Sequence, residues 1–421
     1  MADPEKWVDP LNGYAYDSFN RDALINLAKV EKGRVVMPGG ASYGLLVVPG
    51  SMKMSPDGGE RMSTEVAQKL LQLVKAGATI VLMEKPVSVP GKESEKNNDK
   101  KLKILTDELF TGEKTKVTDA LGGQFISWRK GKGCIIQGPY HAVTFDQLGI
   151  QKDFVAADGV GKQAGYVAWN HRKDGQSDIY FVANQLEKQR TLELNFRIEN
   201  KVPELYNPVT DETYPCHQWK TENGRTKLTY RFEANESLFV IFRDGKINPL
   251  EGVNWIEFSP EMTLSGAWNI QFDPKYGGPA ELVTSGELTD WSNTLDERIR
   301  NYSGTAHYSK SFQRSKPLSE GQAVWLSLGL VAHIAEVKVN GKSCGICWTA
   351  PYRVRIDQAL KQGENKLEIL VTNTWANRII GDHNLPEEKR ITWTTAPYRL
   401  EGKPLLPAGL LGPVEIYTEK K

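Results

Sequence analysis

The chain has 421 residues, which at roughly 150 residues per domain predicts about three domains. Its 53 Lys and Arg residues balance 52 Asp and Glu residues, and the net charge of +1 argues against nucleic acid as a partner. No apolar run approaches the roughly 18 residues of a membrane span, and the polar start does not resemble a signal peptide.

Residues 20–150 alternate between strand-like and helix-like apolar periodicity. Short strands are predicted at 34–37, 43–48, 79–83 and 133–136, and a helix at 102–110. A further helix is expected between Ser63, as its cap, and Gly77, just after its last turn. The polar stretch 91–101 is expected to be a solvated loop. This alternation favours an α/β layer with parallel strands.

The loops after these strands carry no GxGxxG, GxxxxGK[ST] or GxSxG motif. Ser51 follows a predicted strand, where a nucleophile would be placed, but it has no recognisable partner. We therefore interpret Ser51 as a loop serine and this domain as structural. Because the first 20 residues are polar and turn-rich, we expect the chain to begin inside the domain, without its first strand.

Residues 155–245 change to a period of two, which predicts a small all-β sandwich. The turns Lys173-Asp174-Gly175 and Asn223-Gly224 separate its strands. His171 and His217 lie near turns without metal-ligand spacing, so we interpret both as solvated. Residues 244–249 are the expected linker to the next domain.

The last third of the chain is rich in tryptophan, since 7 of the 11 follow Leu250. About eight short strands with turns such as Asn340-Gly341 predict a jelly roll over residues 254–418. Cys344 and Cys347 have the CxxC spacing of thiol exchange. They follow a turn in a strand-like region instead of opening a helix, so we assign them no redox function.

One segment of the jelly roll gathers residue types that suit a sugar. A pyranose has an apolar C–H face and a polar rim, which an aromatic plane and fixed hydrogen-bonding groups can match. In the alternative interpretation, Arg378 and Asp382 form a structural ion pair that holds a long loop, and the tryptophans pack the core. The candidate sugar-binding residues are Trp375, Asn377, Arg378, Asp382, His383 and Trp393.

A glycosidase needs two carboxyl groups across the scissile bond. Several carboxyl residues lie in loop-like sequence, but none stands out as a pair, so no catalytic residue is assigned. The candidates are Asp290, Asp296, Glu297, Asp382, Glu387 and Glu388.

Over nearly its whole length the chain resembles the C-terminal region of glycoside hydrolase family 106, whose members are α-L-rhamnosidases. In the middle of the chain the resemblance rests on Asp153-Phe154, Asn170-His171-Arg172, Asp178-Ile-Tyr-Phe-Val-Ala-Asn184, Phe196-Arg197, Glu204-Leu-Tyr-Asn-Pro-Val-Thr210 and Phe239-Val-Ile-Phe242. In the last third it rests on Gly266-Ala-Trp268, Tyr302-Ser-Gly-Thr-Ala306 with Tyr308, Leu328-Gly329, Val339-Asn-Gly341, Trp348 with Pro351-Tyr352-Arg353, Gly363-Glu-Asn365, Asn377-Arg378-Ile-Ile-Gly-Asp382 and Gly409-Leu-Leu-Gly-Pro413. Parts of the last third are also similar to the sugar-binding jelly roll of family 2 glycosidases.

The resemblance implies an enzyme that degrades plant polysaccharides by an inverting mechanism with two glutamates, often with a calcium ion. Those groups belong to an N-terminal (β/α)₈ barrel. Eight strand–helix units need about 200 residues or more, and the α/β stretch supplies about 130. No catalytic glutamate is therefore carried over, no cofactor is expected in this chain, and calcium is an expectation for the parent enzyme only.

The expected fold is multidomain α/β plus all-β. It comprises a partial doubly wound, flavodoxin- or amidotransferase-like sheet over residues 1–153, a small β-sandwich over 154–248 and a galactose-binding-like jelly roll over 249–421. Three functions remain open: an ancillary region that supports the barrel of the same parent protein, a stand-alone protein that binds a rhamnose-containing glycan, and an independent enzyme. Family resemblance implies a periplasmic or extracellular location.

Overall fold

The computed structural model describes residues 12–48, 60–91, 97–118, 122–138, 144–245, 248–319, 321–400 and 402–420. The chain forms two compact units, Met1–Val155 and Ala156–Lys421. Ser51, residues 1–11 and part of the predicted linker lie outside the described residues. The division into three domains, with boundaries at 153/154 and 248/249, stays a prediction.

Unit 1 combines helices with short strands. Its elements are α1 (Arg21–Asn26), β1 (Lys29–Glu31), β2 (Arg34–Val36), β3 (Ser42–Tyr43), β4 (Leu46–Val48), α2 (Thr64–Lys75), β5 (Thr79–Leu82), α3 (Asn98–Leu109), β6 (Glu113–Thr118), β7 (Gln124–Lys130), β8 (Gly133–Gln137) and α4 (Thr144–Gln147). A further strand, β9 (Phe154–Ala157), crosses the boundary between the units.

Five strands of unit 1 form a mixed sheet in the order β4-β5-β8-β7-β6. β4, β5 and β8 are parallel, as predicted, whereas β7 and β6 are antiparallel to their neighbours. The prediction of parallel strands was therefore wrong for residues 113–130. Only two residues separate β7 from β8, and so short a turn can join antiparallel strands but cannot form a parallel crossover.

Helix α2 begins as its sequence predicts, because Oγ of Ser63 accepts a hydrogen bond from the backbone N–H of Val66 at 3.4 Å. The loop expected over 91–101 was wrong at its C-terminal end, since α3 already begins at Asn98. There the carboxylate of Asp99 accepts a hydrogen bond from the backbone N–H of Val89 at 2.8 Å. The first predicted strand forms as β2, but it belongs to a separate antiparallel sheet, β1-β2-β3.

The first part of unit 2 consists of two antiparallel sheets. Its strands are β10 (Val167–Asp174), β11 (Ser177–Asn184), β12 (Arg190–Phe196), β13 (Val202–Asn207), β14 (Glu212–Pro215), β15 (Trp219–Glu222), β16 (Arg225–Phe232) and β17 (Ser237–Arg243). The strand orders are β10-β11-β17-β13-β14 and β15-β16-β12-β9. The rings of Tyr180 in β11 and Phe196 in β12 are 4.8 Å apart, so aromatic side chains pack between the two sheets.

The second part of unit 2 carries twelve strands in its described residues, more than the eight expected. They are β18 (Phe258–Thr263), β19 (Trp268–Gln271), β20 (Val283–Ser285), β21 (Thr305–Arg314), β22 (Val324–Ser327), β23 (Leu330–Ala332), β24 (Ile334–Val339), β25 (Lys342–Cys347), β26 (Arg353–Arg355), β27 (Gly363–Thr372), β28 (Gly409–Gly412) and β29 (Glu415–Glu419), with helices α5 (Glu297–Arg300) and α6 (Ala376–His383). The sheets are β18-β29-β22-β26, β20-β19-β21-β27-β24-β25 and β23-β28.

Apolar residues of these sheets form one buried cluster, which includes Trp268, Tyr308, Val337 and Ile416. The hairpin predicted at Asn340 and Gly341 is confirmed: their φ angles of +52° and +80° are those of a tight turn between β24 and β25. The pairing of these two strands contains a β-bulge between Val337 and Lys338.

No helix in the described part of the chain combines the length and the apolarity that a membrane crossing requires.

A buried carboxylate organises one end of the first part of unit 2. The side chain of Asp178 is 2% exposed, and its oxygens lie 3.0 Å from Nε2 of His171 and 2.6 Å from Nζ of Lys201. His171 also stacks on Tyr180 at a ring distance of 4.0 Å, so the expectation that it is solvated was wrong. Burial raises the pKa of Asp178, but the hydrogen bonds from Lys201 and His171 outweigh it and hold the pKa below its ordinary value.

Replacing this carboxylate should remove stability in a pH-dependent way. At pH 7 we expect Asp178→Asn to lower the free energy of unfolding by about 3 kcal/mol, because Lys201 loses its buried partner. A depressed pKa contributes stability above the unfolded pKa, near 3.8, and this contribution is lost as the pH falls below it. Denaturant titrations between pH 7 and pH 3 should therefore show the difference from the wild type shrinking.

The matched control is Asp174→Asn, which changes an exposed carboxylate in the adjacent turn and should leave the stability unchanged at every pH. An Asp178→Asn deficit that stays constant down to pH 3 would contradict the linkage.

Candidate functional site

The predicted sugar-binding segment folds around a short helix, not as a long loop. Helix α6 carries four of the six candidate residues (Asn377, Arg378, Asp382 and His383), and Arg378 and Asp382 lie one turn apart on it. Nη2 of Arg378 is 2.7 Å from Oδ1 of Asp382, and both side chains are buried. This is the ion pair of the structural interpretation. The helix was missed because its sequence contains only two adjacent aliphatic residues and no apolar stripe.

Asp382 also holds the chain that follows the helix. Its Oδ2 accepts hydrogen bonds from the backbone N–H of Ile391 at 3.0 Å and of Thr392 at 2.7 Å, and from Oγ1 of Thr392 at 2.8 Å. One buried carboxylate thus neutralises Arg378 and fixes the backbone next to Trp393.

The other face of α6 packs closely on the segment before β21. The backbone N–H of Arg378 donates to Oγ of Ser303 at 3.0 Å. At Gly381 the fit leaves no room for a side chain, because an added Cβ would lie 2.6 Å from Cγ of Asn301. This close approach holds the helix against the segment that precedes β21.

Asn377 and His383 occupy different environments. The buried amide of Asn377 makes two hydrogen bonds with the backbone of Leu406, donating to its carbonyl at 2.7 Å and accepting from its N–H at 2.8 Å. Asn377 therefore ties a second segment to α6. His383 is half-buried in the last turn of the helix.

The two predicted tryptophans are on the outside. Trp375 is 47% exposed and Trp393 is 80% exposed, so neither packs the core as the alternative interpretation had it. The ring of Tyr276 meets Trp375 edge-on at 5.4 Å. Gly277 lies against Arg378 and Ile391, since a Cβ there would fall within 2.9 Å of both. We call Tyr276, Trp375, Ile391 and Trp393 the Trp375 surface.

Tyr276 was missed by sequence reasoning. The sequence feature that could have indicated its position is the run Asp273-Pro274-Lys275-Tyr276-Gly277. This run forms a single turn capped by the Asp273 side chain. Tyr276 is partly buried and packs against the apolar cluster, which holds its ring in place beside Trp375.

The carboxyl residues considered for acid–base catalysis serve local structure. Asp290 accepts hydrogen bonds from the backbone N–H groups of Ser292 and Ala408, both at 2.9 Å. Asp296 caps α5 and lies 2.7 Å from Nη2 of Arg298. Glu297 lies 2.6 Å from Nη2 of Arg300, and Glu387 and Glu388 belong to a short 3₁₀ turn. The expectation that this chain carries no catalytic residue stays a prediction.

The cysteine pair lacks the features of a reactive dithiol. Cys344 and Cys347 are unbridged, and burial raises the pKa of both thiols, to about 12 for Cys347. Thiol exchange requires a lowered pKa, so the geometry does not favour it.

Within the described ranges, no three or more His, Cys, Asp or Glu side chains are grouped to hold a metal ion. Calcium stays an expectation for the parent enzyme.

Two family models match the chain. The model of glycoside hydrolase family 106, described as alpha-L-rhamnosidase, matches residues 4–220. The chain belongs to glycoside hydrolase family 106. A second model, described as glycosyl hydrolase 2 galactose-binding domain-like, matches residues 280–400. Three of the four residues of the Trp375 surface lie in this galactose-binding-like segment of the family 106 chain.

Individual relatives of this family 106 chain are much longer than it is. A solved rhamnosidase from Novosphingobium sp. PP1Y is 32% identical, with a TM-score of 0.72, over 97% of this chain and 36% of its own. A putative beta-glucuronidase of Formosa agariphila is 39% identical over 182 residues, which are 36% of this chain and 15% of that protein. The chain therefore spans about a third or less of the length of these relatives.

Removing the Asp382 carboxylate should release the segment that it holds. We expect Asp382→Ala to lower the free energy of unfolding by about 3–5 kcal/mol, because Arg378 is left as a buried unpaired charge. The backbone amides of Ile391 and Thr392 should then exchange with solvent deuterium much faster, which mass spectrometry can follow. Glu388→Ala, an exposed change in the same segment, is the control. Unchanged exchange at residues 391 and 392 would contradict the assigned role.

Proposed function

We propose that the chain is the C-terminal ancillary region of an α-L-rhamnosidase-like glycoside hydrolase that acts on a plant polysaccharide or rhamnoside. In this role it braces the catalytic (β/α)₈ barrel of the parent protein and contacts a rhamnose-containing glycan through the Trp375 surface. Family membership and the similarity to the Novosphingobium rhamnosidase over 97% of the chain support this role.

The exposure of Trp375 and Trp393 is the observation that carries the sugar contact. Two indoles that are 47% and 80% exposed leave a large apolar area in water, although the core beneath them is well packed. An indole plane matches the C–H face of a pyranose. Asp382 and Arg378 lie behind the surface and fix it, so they are positioning residues and not direct sugar contacts.

The alternative is a stand-alone carbohydrate-binding protein, which the same two exposed indoles support. It differs from the ancillary role in whether a catalytic barrel accompanies the chain. A third possibility, independent catalysis, has less support, because the candidate carboxylates Asp290, Asp296 and Glu297 are engaged in caps and ion pairs.

Loss of the exposed indoles should weaken glycan binding. With rhamnose oligosaccharides as the ligand, we expect Trp393→Ala and Trp375→Ala each to raise Kd by roughly threefold to tenfold, the amount that one aromatic contact supplies. Isothermal titration calorimetry on the purified chain measures this change. The more exposed Trp393 should give the larger effect.

The control variant is Leu295→Ala, which removes a 95% exposed apolar side chain elsewhere and should leave Kd unchanged. Equal affinity in the wild type and both Trp variants would sink the assignment of this surface. Assays of the chain with an aryl α-L-rhamnoside should show no turnover. Turnover that matches full-length rhamnosidases would overturn the ancillary role.

A further inference from the structure

A second feature of unit 2 lies away from the Trp375 surface: a cavity of about 410 Å³. It opens between the turns that follow β13 and β16 in the first part of the unit and the segment from β25 to β26 in the second. Its size is that of a small-molecule site. The walls are aromatic, with contributions from Tyr230, Phe239, Trp255, Phe258, Trp325 and Trp348.

Unused hydrogen-bond donors concentrate at this cavity. Nine buried side-chain N or O atoms of the described residues have no hydrogen-bond partner, and four of them belong to residues that line it. They are Oγ1 of Thr210, Nε of Arg231, Nε1 of Trp255 and Nε of Arg353. Buried donors without partners cost free energy. These four atoms have almost no accessible surface, so a ligand in the cavity reaches them only if neighbouring side chains shift.

Arg353 is the most unusual of these residues. Its guanidinium lies 4.2 Å from the ring centroid of Phe258 and 5.8 Å from that of Tyr417. Within the described chain, no hydrogen bond or ion pair joins this guanidinium to another residue. By contrast, the fully buried Arg314 of unit 2 has a carboxylate partner, Glu261, at 2.8 Å and 3.0 Å.

The cavity is also lined by two acidic residues, Glu233 and Glu236. Burial lowers the pKa of Arg353 and the charges of these two residues partly offset this, but neither makes an ion pair with the guanidinium. Oε1 of Glu236 accepts a hydrogen bond from Oη of Tyr230 at 3.0 Å, and its Oε2 accepts from the backbone N–H of Glu233 at 2.7 Å. Burial raises the pKa of Glu236 to about 7, so this carboxyl is only partly ionised at neutral pH. The carboxylate of Glu233 accepts from Nε2 of Gln189 at 3.1 Å.

The opening presents a platform for a ring. Trp348 is 59% exposed, although it lies among the residues that line the cavity. Close to it, Tyr352 has a φ of +42°, a strained backbone for an aromatic residue. Such strain is retained where the surrounding structure enforces it, often at a binding site.

We propose that this cavity binds a pyranose that carries a carboxylate, a hexuronate residue of a glycan. Trp348 stacks on the C–H face of the ring, and the guanidinium of Arg353 pairs with the carboxylate. An apolar ligand or a neutral pyranose would leave this guanidinium without a direct ion-pair partner. The proposal does not rest on the Trp375 surface.

The test is isothermal titration calorimetry on the whole chain with methyl β-D-glucuronide and methyl α-D-galacturonide, each compared with the neutral hexoside of the same configuration. We expect at least one uronide to bind roughly tenfold tighter than its neutral counterpart. Arg353→Gln should abolish this preference, and Trp348→Ala should weaken uronide binding by roughly tenfold. Leu295→Ala, which removes an exposed apolar side chain outside both surfaces, should leave uronide affinity unchanged.

Three results would overturn the proposal: equal affinity for the acidic and neutral sugars, a preference that survives Arg353→Gln, or no binding of either uronide at millimolar concentration. If thermal unfolding shows that Arg353→Gln does not fold, Trp348→Ala decides alone, because its side chain is mostly in solvent. Loss of rhamnoside binding in Trp393→Ala with intact uronide binding would separate this site from the Trp375 surface.

Discussion

The buried carboxylate of Asp382 is the interaction on which the Trp375 surface depends. It compensates the charge of Arg378 and accepts three hydrogen bonds from Ile391 and Thr392, so helix and following segment are fixed together. That segment continues directly into Trp393, so the buried carboxylate of Asp382 sets the position of the exposed Trp393 indole. In the family 106 chain, buried polar groups thus hold this surface in place, and the indole rings of the surface face solvent.

Other buried charged side chains of unit 2 are also paired with a group of opposite charge, with one exception. Asp178 joins His171 and Lys201, and Glu261 holds Arg314 with two hydrogen bonds. These buried charges are compensated, as folded proteins require. Arg353 departs from the rule, since aromatic rings surround its guanidinium and no carboxylate lies within ion-pair distance among the described residues. Glu233 and Glu236 attract this guanidinium without pairing with it, which distinguishes the cavity from the ion-paired positions of the core.

The sequence predicted the features that depend on residues close together in the chain, and it missed those that depend on tertiary packing. The Asn340-Gly341 turn and the Ser63 cap depend on neighbouring residues and were read correctly. β6 was missed because its exposed Lys, Glu and Thr residues show no apolar pattern, and α6 because an ion pair one turn apart takes the place of an apolar stripe. The cavity could not be foreseen, since Thr210 and Arg353 are 143 positions apart in sequence and only the packing of sheets brings them to one place. The tryptophans of the candidate surface were identified from composition, but their exposure was a matter of tertiary structure.

The bulge in the β24–β25 pairing has a consequence for how unit 2 meets other molecules. A regular sheet edge can recruit a strand from another chain and grow into an aggregate. Here β25 is an edge strand twisted by that bulge, β20 at the other edge has three residues, and β14 ends its sheet with Pro215. Short, bent or proline-bearing edges discourage backbone pairing. At these three edges the sheets therefore do not offer a regular row of unpaired peptide groups that would accept an extended chain.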